Sequence, residues 1–394
     1  LDTYRDRQTA YLFMTNLLGT QQDARVADDG RTIDNAWDAE WESAAARTDF
    51  GWTAEFAIPF SSLRYQAGEN RVWGINFGRT IRRSLEFSFW AGPLDAAARI
   101  SQSGVLSGLD LPRPPRPVDV IVHGLARAAD GTDSEWDGGV DVRLSPDPSV
   151  TINATVNPDF ATIEADREQV NLSRFELSLT EKRPFFLEGN ELFRQRIRTF
   201  YSRRISDIRG GGRVVGKRGP WTYAAMGVGG EPGELGSSPF FGLGRVRRDL
   251  GRSNVGVTWA ERRLDGAANG SVGLDATLFF SSTFGLTGQA IESYGEFDQG
   301  TRAFFLRPAY DSPTGHFHVR YTHIEERFGD NINSVGFVRD DDRREVDAEV
   351  TKTVWFETGP LERVEVGSNN NIYWGQDGTR RSWSLDQDLQ FEFR

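Results

Sequence analysis

The chain lacks cysteine entirely, which excludes a disulfide framework, a thiolate metal site and a cysteine nucleophile. It begins at Leu1 with no signal peptide, and we expect it to be a processed or truncated fragment. No apolar run approaches the roughly 20 residues that a membrane helix needs. A membrane barrel is not excluded by this, because its strands of about 9–11 residues place only alternate side chains in lipid.

Positive charge is also in short supply, and the formal net charge of -11 argues against a nucleic-acid-binding protein. The sequence has no Gly-x-Ser-x-Gly elbow and no His-Glu-x-x-His motif. Gly210-Gly211-Gly212 is not a phosphate loop, because no lysine-serine pair follows it; we expect it to begin a tightly packed strand. These absences leave no catalytic residue to assign.

Proline is concentrated in one place, where residues 111–117 carry four prolines in seven residues. Proline lacks the amide that a strand ladder needs and favours an extended backbone, so residues 112–117 are predicted to be a stiff linker. Short strand-like runs separated by turns precede it, which is typical of a β-sandwich. The linker therefore divides the chain into residues 1–111 and 118–394.

Longer alternating strands follow the linker. In the last of them one face is apolar and the other charged or polar; the apolar members are Trp383, Leu385, Leu389, Phe391 and Phe393. Short turns alternate with longer polar loops, such as residues 328–342. Long hairpins of this kind favour a barrel with lipid outside and a polar lumen over a soluble sandwich or solenoid. We therefore predict an all-β protein with an antiparallel transmembrane-type barrel.

Two sets of motifs add a family resemblance. The first set lies in residues 1–13, 37–41, 51–60 and 73–77, and includes Trp37-Asp38-Ala39-Glu40-Trp41. The second includes Asn157-Pro158-Asp159-Phe160, Glu181-Lys182-Arg183-Pro184-Phe185-Phe186 and Phe200-Tyr201-Ser202-Arg203-Arg204. Together they resemble a carbohydrate-binding module family-nine-like domain followed by a bacterial outer-membrane barrel of unknown function.

The resemblance implies a carbohydrate-binding-like sandwich at residues 1–111 and a barrel at residues 118–394, both partial. Members of the family usually carry more sandwich upstream and more barrel downstream, so the sandwich is expected to be N-terminally incomplete and the barrel C-terminally incomplete. The barrel is placed in the outer membrane, with the sandwich on the periplasmic side.

Trp37 and Trp41, with Asp38, Glu40 and Asn35 beside them, are the best candidates for a sugar site. Flat rings stack on the apolar face of a pyranose, and its hydroxyls need acids and amides nearby. The competing interpretation, which we favour, is that the tryptophans fill the core.

Other polar clusters also have both a structural and a functional interpretation. Asp28, Asp29 and Asp34 would offer carboxylates to calcium, although their spacing misses the EF-hand loop and a turn is favoured. No other cofactor is expected. His316 and His318, with His323 nearby, are interpreted as exposed or lumen-facing residues, with metal binding as the alternative. The acids from Glu164 to Glu191 are interpreted as structural, although paired carboxylates are also what glycoside hydrolysis needs.

The strongest positive run follows these acids and includes Arg194, Arg196, Arg198, Arg203 and Arg204. We favour charge balance against the preceding acids. The alternatives are selection of anionic solutes at the barrel mouth and contact with lipid phosphates.

The predicted function is binding or uptake of glycans or solutes at the cell envelope. A structural subunit of an outer-membrane assembly is the first alternative, and a glycan-processing hydrolase, by family association alone, is the second. The expected partners are outer-membrane lipid, a glycan ligand and envelope proteins, but not nucleic acid.

Overall fold

A computed structural model of the chain describes residues 1–35, 37–81, 86–92, 94, 98–113, 118–127, 135–158, 170–171, 175–233 and 236–393. Linker residues 114–117 and the acids Glu164, Asp166 and Glu168 lie outside these ranges. Within them, no helix is long and apolar enough to cross a membrane.

The N-terminal part forms four small antiparallel sheets, here called the N-terminal domain (residues 1–111). Its strands are β1 (Ala10–Thr15), β2 (Gln21–Ala27), β3 (Thr32–Asp34), β4 (Glu42–Thr48), β5 (Gly51–Ala57), β6 (Gly68–Ile75), β7 (Gly78–Ile81), β8 (Glu86–Phe89) and β9 (Gly104–Leu111). Strands β1, β2 and β3 form one sheet, and β4 pairs with β5, β6 with β9, and β7 with β8. Short 3₁₀ helices at Asp28–Gly30, Phe60–Ser62 and Ile100–Gln102 connect them.

An aromatic cluster holds this domain together. Tyr11, Tyr65 and Trp73 are buried at its centre with Leu63 and Leu111. Burying aromatic rings of this size removes about 150–250 Å² of surface from water for each ring. This core joins β1 of the first sheet to the β6–β9 sheet.

The rest of the chain is dominated by a single antiparallel sheet of 14 strands paired in sequence order. They are β10 (Val118–Arg127), β11 (Glu135–Asp147), β12 (Val150–Val156), β13 (Ile208–Arg218), β14 (Trp221–Gly230), β15 (Phe240–Leu250), β16 (Ser253–Leu264), β17 (Ala267–Phe279), β18 (Phe284–Tyr294), β19 (Arg302–Ser312), β20 (Gly315–Ile324), β21 (Arg343–Trp355), β22 (Leu361–Trp374) and β23 (Arg380–Phe393). Among the described strands, β10 and β23 are not paired with each other. The predicted all-β fold with a barrel-type antiparallel sheet is confirmed.

The two faces of this sheet differ in chemistry, because successive side chains of a strand point to opposite sides. In β17, Val272 and Leu274 lie on the outer face with about half of each side chain exposed, whereas Ser271 and Thr277 on the inner face are buried. At the end of the chain β23 exposes both faces, and its apolar residues Trp383, Leu389 and Phe391 are 61%, 59% and 55% exposed. An apolar face of this extent is far larger than the apolar patches of soluble monomers.

The two ends of the sheet also differ. At one end most hairpins are tight, with two residues connecting β13 to β14, β15 to β16, and β19 to β20. At the other end the connections include 51 residues between β12 and β13 and 18 between β20 and β21, by their boundaries. We call these the short-turn end and the long-loop end.

Both long connections fold back against the inner face, and we call them together the plug (residues 175–207 and 325–342). Helix α1 (Pro184–Leu187) and 3₁₀ helices at Asn190–Phe193 and Ser202–Arg204 belong to the first segment, and helix α2 (Phe328–Ile332) to the second. The first packs Phe186 and Phe193 against strands β13 to β16. The second buries Phe328 and Ile332 fully, so the loop predicted to be polar is a packed element instead.

The outer face leads to a prediction about stability in lipid. Leu385→Arg, in the middle of β23 with the side chain 54% exposed, should destabilise the protein in a bilayer by about 2–4 kcal/mol, because a charge there must enter hydrocarbon. The measurement is urea unfolding in vesicles. The matched control is Ser384→Arg, one residue away on the polar face, which should cost much less. Equal costs for both variants would contradict the assignment of the two faces.

Candidate functional site

The inner face of the sheet carries the charged groups of the strands. Arg245 on β15 reaches across β16 to Asp275 on β17 through two hydrogen bonds of 2.6 and 2.8 Å. Gln195 of the plug donates to the same carboxylate at 2.9 Å. Strands and plug are therefore joined by a shared polar network, and unpaired charges here would be costly because the site is largely shielded from water.

A second row of polar groups crosses β19, β20 and β21. The Asp311 carboxylate lies 2.7 Å from His316 Nδ1, His316 Nε2 lies 2.8 Å from His318 Nδ1, and His318 Nε2 lies 2.8 Å from Asp347. Arg320 pairs with Asp347 at 3.0 Å. The row is continuous because His316 and His318 share one face of β20.

One side chain of the sheet bonds to the plug backbone with a donor and an acceptor, as the backbone of a neighbouring strand would. Gln289, buried on the inner face of β18, accepts the backbone N–H of Ile197 at 3.1 Å and donates to the carbonyl of the same residue at 3.1 Å. Backbone groups that are buried must find such partners. We call this pair of bonds the Gln289 latch.

The two plug segments are bonded to each other as well. The backbone N–H of Tyr201 donates to the carbonyl of Val335 at 2.8 Å, and the N–H of Phe337 donates to the carbonyl of Arg198 at 2.9 Å. They therefore form one unit within the space bounded by the inner face.

The N-terminal domain docks at the short-turn end and against the plug, mainly through ion pairs. Each pair joins one residue of the domain to one of the sheet or plug: Arg31–Asp311 at 3.0 Å, Arg64–Glu188 at 2.5 Å, Asp6–Lys217 at 2.6 Å, Asp29–Arg252 at 3.1 Å, Asp34–Arg194 at 2.9 Å and Arg25–Glu191 at 3.6 Å. Charge complementarity of this kind fixes orientation and partner choice more than it adds affinity.

Lys217 is the most enclosed member of the interface. Its ammonium group lies between the carboxylates of Asp6 and Asp249, and all three side chains are less than a tenth exposed. Burial would raise the pKa of the Asp6 carboxyl, but the nearby Lys217 outweighs this and holds that pKa below its usual value. The carboxylate is therefore ionised at neutral pH.

Glu188 of the plug is held in the same way. Burial would raise the pKa of its carboxyl, but the charges of Arg64, Arg143 and Arg213 outweigh burial and hold that pKa below its usual value. A cleft of about 670 Å³ lies beside this interface, lined among others by Arg5, Arg71, Arg113, Arg218 and Asp147.

The residues proposed for sugar binding differ in solvent exposure, with the two rings more buried than the polar side chains beside them. Trp41 is 8% exposed, and its ring stacks on Phe56 with centroids 5.7 Å apart. Trp37 is half-buried and packs against Tyr11, with centroids 5.0 Å apart. Asp38, Glu40 and Asn35 are exposed nearby. The rings thus support the aromatic core, and the acids lie at the surface above it; a sugar ligand here stays a prediction.

The structure gives each of the three candidate calcium ligands a cationic partner. Asp28 lies 3.7 Å from Arg247. Asp29 contacts Arg252 and also accepts hydrogen bonds from the backbone and hydroxyl of Ser101 at 2.7 and 2.8 Å. Asp34 pairs with Arg194. The carboxylates serve the domain interface in this arrangement, and calcium binding stays a prediction.

The arginine run lies in the first plug segment. Arg204 forms two hydrogen bonds with Glu176, at 2.8 and 2.6 Å, and a third with the carbonyl of Gly336. Arg198 donates to Ser178 at 2.7 Å. Arg196 and Arg203 are at least partly exposed. The pair with Glu176 is the kind of contact that charge balance predicts, and the choice between anion selection and lipid contact stays open.

Sequence reasoning missed the Gln289 latch and the docking pairs of Arg31, Arg64 and Lys217. A single glutamine in a strand has no sequence signature, and ion pairs between residues 211 positions apart, as for Lys217 and Asp6, depend on the tertiary fold. The run of apolar residues around Phe185 and Phe193, between two strands, was the one signal for a packed plug.

Comparison with known proteins adds the following. A family described as a domain of unknown function, DUF5916, matches residues 121–213. Among solved structures, the chain is similar to Pseudomonas aeruginosa OccK5 (OpdH), at 11% identity, covering 72% of this chain and 87% of that one with a TM-score of 0.25. It is also similar to OccK3 (OpdO) of that organism, at 13% identity, 72% and 86% coverage and a TM-score of 0.28.

A third similar structure is OpdQ of the same organism, at 10% identity, 97% and 93% coverage and a TM-score of 0.30. No curated protein matches the chain significantly. The function proposed below therefore rests on the geometry of this chain.

Removing the charge of Lys217 should undock the N-terminal domain. Lys217→Met leaves the buried Asp6 carboxylate without a cation, at a cost of about 3–5 kcal/mol, whereas Asp249 keeps Arg247 at 3.4 Å. Limited proteolysis should then release a fragment cut near the linker. The control is Arg302→Met, which breaks an exposed pair with Glu292, with side chains 72% and 53% exposed, and should change stability by about 0–1 kcal/mol. Resistance of both variants to protease would contradict this account of the interface.

Proposed function

We propose that this chain is part of an outer-membrane β-barrel protein that passes solutes through its polar interior, with the plug closing the path. The observation that carries the proposal is the combination of an exposed apolar outer face with a charged inner face, since this is the side-chain arrangement of a barrel in lipid.

Aromatic side chains at both ends of the outer face support placement in a membrane. Phe280, Phe284 and Phe356 lie near the short-turn end, and Trp374 and Trp383 lie near the long-loop end. Aromatic girdles of this kind mark the two interfaces of a bilayer.

The orientation follows from the loops. Bacterial outer-membrane barrels have short periplasmic turns and longer extracellular loops. The N-terminal domain contacts the short-turn end through Arg252 and Lys217, so we infer that it lies on the periplasmic side. There it would meet solutes as they leave the barrel.

The plug makes the proposed passage a gated one. It is attached to the inner face by hydrophobic packing and by the Gln289 latch. Arg196 interacts electrostatically with Arg320, Glu345 and Asp347 on the inner face. Charges of both signs along a path favour polar solutes over apolar ones.

Weakening the latch should open the path. Gln289→Glu keeps the shape of the side chain but replaces the donor to the Ile197 carbonyl with a carboxylate oxygen, a loss of about 1–3 kcal/mol. We expect solute flux into proteoliposomes, measured by swelling, to rise about tenfold or more. Gln299→Glu, at an exposed position in the connection between β18 and β19, is the control and should leave flux unchanged.

Correct folding of both variants is checked by heat-dependent gel mobility. Should folded Gln289→Glu protein be as impermeable as the parent, passage through the lumen would be wrong, and a structural role in an envelope assembly would be favoured.

We propose further that the N-terminal domain binds a glycan through its exposed acids Asp38 and Glu40, with Trp37 beneath them. The double variant Asp38→Asn, Glu40→Gln should bind glycans at least tenfold more weakly on an array, because each hydrogen bond from a hydroxyl to a carboxylate contributes about 1.5–3 kcal/mol. Glu55→Gln, an exposed acid on β5, is the control. Absence of glycan binding by the parent protein would sink this second proposal and leave the first intact.

A further inference from the structure

We propose that His316, His318 and Glu349 form a binding site for one divalent transition-metal ion of the zinc class, on the inner face of the sheet near its short-turn end. The side-chain nitrogens of the two histidines and one carboxylate oxygen of Glu349 converge from two adjacent strands. His318 lies directly opposite Glu349 in the β20–β21 register, which fixes this approach.

The distances fit an ion at the centre of the three atoms. His316 Nε2 and His318 Nδ1 are 2.8 Å apart, and the Glu349 oxygen lies 3.7 Å from the second and 4.0 Å from the first. The centre of a triangle with these sides is about 2.1 Å from each corner, which matches zinc bonds to nitrogen and oxygen of about 2.0–2.2 Å.

The outer partners of the two imidazoles point to the same role. His316 Nδ1 lies 2.7 Å from the carboxylate of Asp311, and His318 Nε2 lies 2.8 Å from that of Asp347. Histidines that bind metals characteristically donate their second N–H to a carboxylate, which fixes the tautomer and raises the basicity of the ligating nitrogen.

This pattern has a consequence for the two facing nitrogens. If each imidazole gives its only proton to its own carboxylate, the nitrogens that face each other at 2.8 Å are both acceptors. Two acceptors at that distance repel unless a cation lies between them. A metal ion resolves the conflict, and a shared proton is the competing solution.

Of the three carboxylates around the histidines, those of Asp311 and Asp347 are already paired with arginines. Asp311 is paired with Arg31 at 3.0 Å, and Asp347 with Arg320 at 3.0 Å. Among the described residues, Glu349 has only the two histidines as ion-pair partners. Arg307 acts electrostatically on Glu349 and His318, but it forms no ion pair with Glu349 within 4.0 Å. The carboxylate is therefore available as a metal ligand, and two histidines with one glutamate is a known zinc ligand set that keeps a position open.

The site also touches the domain interface, because Asp311 bonds both to His316 and to Arg31 of the N-terminal domain. Metal binding at the histidines would thus fix one of the groups on which that domain docks.

The test uses the untagged chain in detergent, with Co²⁺ and Cu²⁺ as spectroscopic probes and Zn²⁺ as competitor. We expect one Co²⁺ per chain with ligand-field bands that Zn²⁺ removes, and a Cu²⁺ EPR spectrum that shows coupling to two nitrogens. His316→Gln and Glu349→Gln should each weaken binding at least tenfold.

The matched control is His323→Gln, on the same strand but on the outer face, which should bind as the parent does. Gel mobility shows which variants are folded, and Glu349→Gln, which is nearly isosteric, keeps the test decisive if a histidine variant does not fold. Binding that is unaffected by His316→Gln and Glu349→Gln, or no binding at all with the imidazole pair instead sharing a proton in NMR spectra, would overturn the proposal.

Discussion

The structure depends on one constraint, which is that a strand ladder turns alternate side chains to opposite sides. In the described part of the 14-stranded sheet many alternate residues are apolar and exposed, as Val257 and Leu274 are, whereas Ser271 and Thr277 on the opposite face are polar and buried. Such an outer face is compatible with lipid, because hydrocarbon tails neither donate nor accept hydrogen bonds and apolar side chains require none. The inner face must then satisfy its own charges.

That requirement explains the plug and the docked domain. Ions taken out of water cost several kcal/mol each unless they are paired and hydrogen-bonded. Ion pairs join Arg245 to Asp275, Lys217 to both Asp6 and Asp249, and Asp311 to Arg31. Buried pairs of this kind add little net stability, but a wrong arrangement would leave charges unpaired. They therefore specify where the plug and the N-terminal domain lie.

The sequence predicted the features that depend on a regular spacing of side-chain types along the chain. The alternation of Trp383, Leu389 and Phe391 with polar residues predicted the outer face. The sequence Gly210-Gly211-Gly212 predicted a tightly packed strand, and in the structure a Cβ on Gly211 would lie 2.5 Å from the carbonyl oxygen of Gly227. The apolar residues around Phe185 and Phe193 were a signal for a packed segment, but the position of the plug could not be predicted, because its segments have no regular period and their partners are distant in sequence. Placement of Trp41 in the core agrees with its favoured interpretation.

The most direct test of the two-faced sheet uses the absence of native cysteine, which makes any introduced one unique. Single cysteines at residues 271 to 277 of β17 are spin-labelled in vesicles, and their collision rates with oxygen and with a water-soluble nickel complex are compared. Labels at Val272, Leu274 and Ala276 should be accessible to oxygen and shielded from nickel, and those at Ser271, Gly273 and Asp275 should not show this lipid signature. Uniform access of the nickel complex to both faces would contradict the membrane assignment.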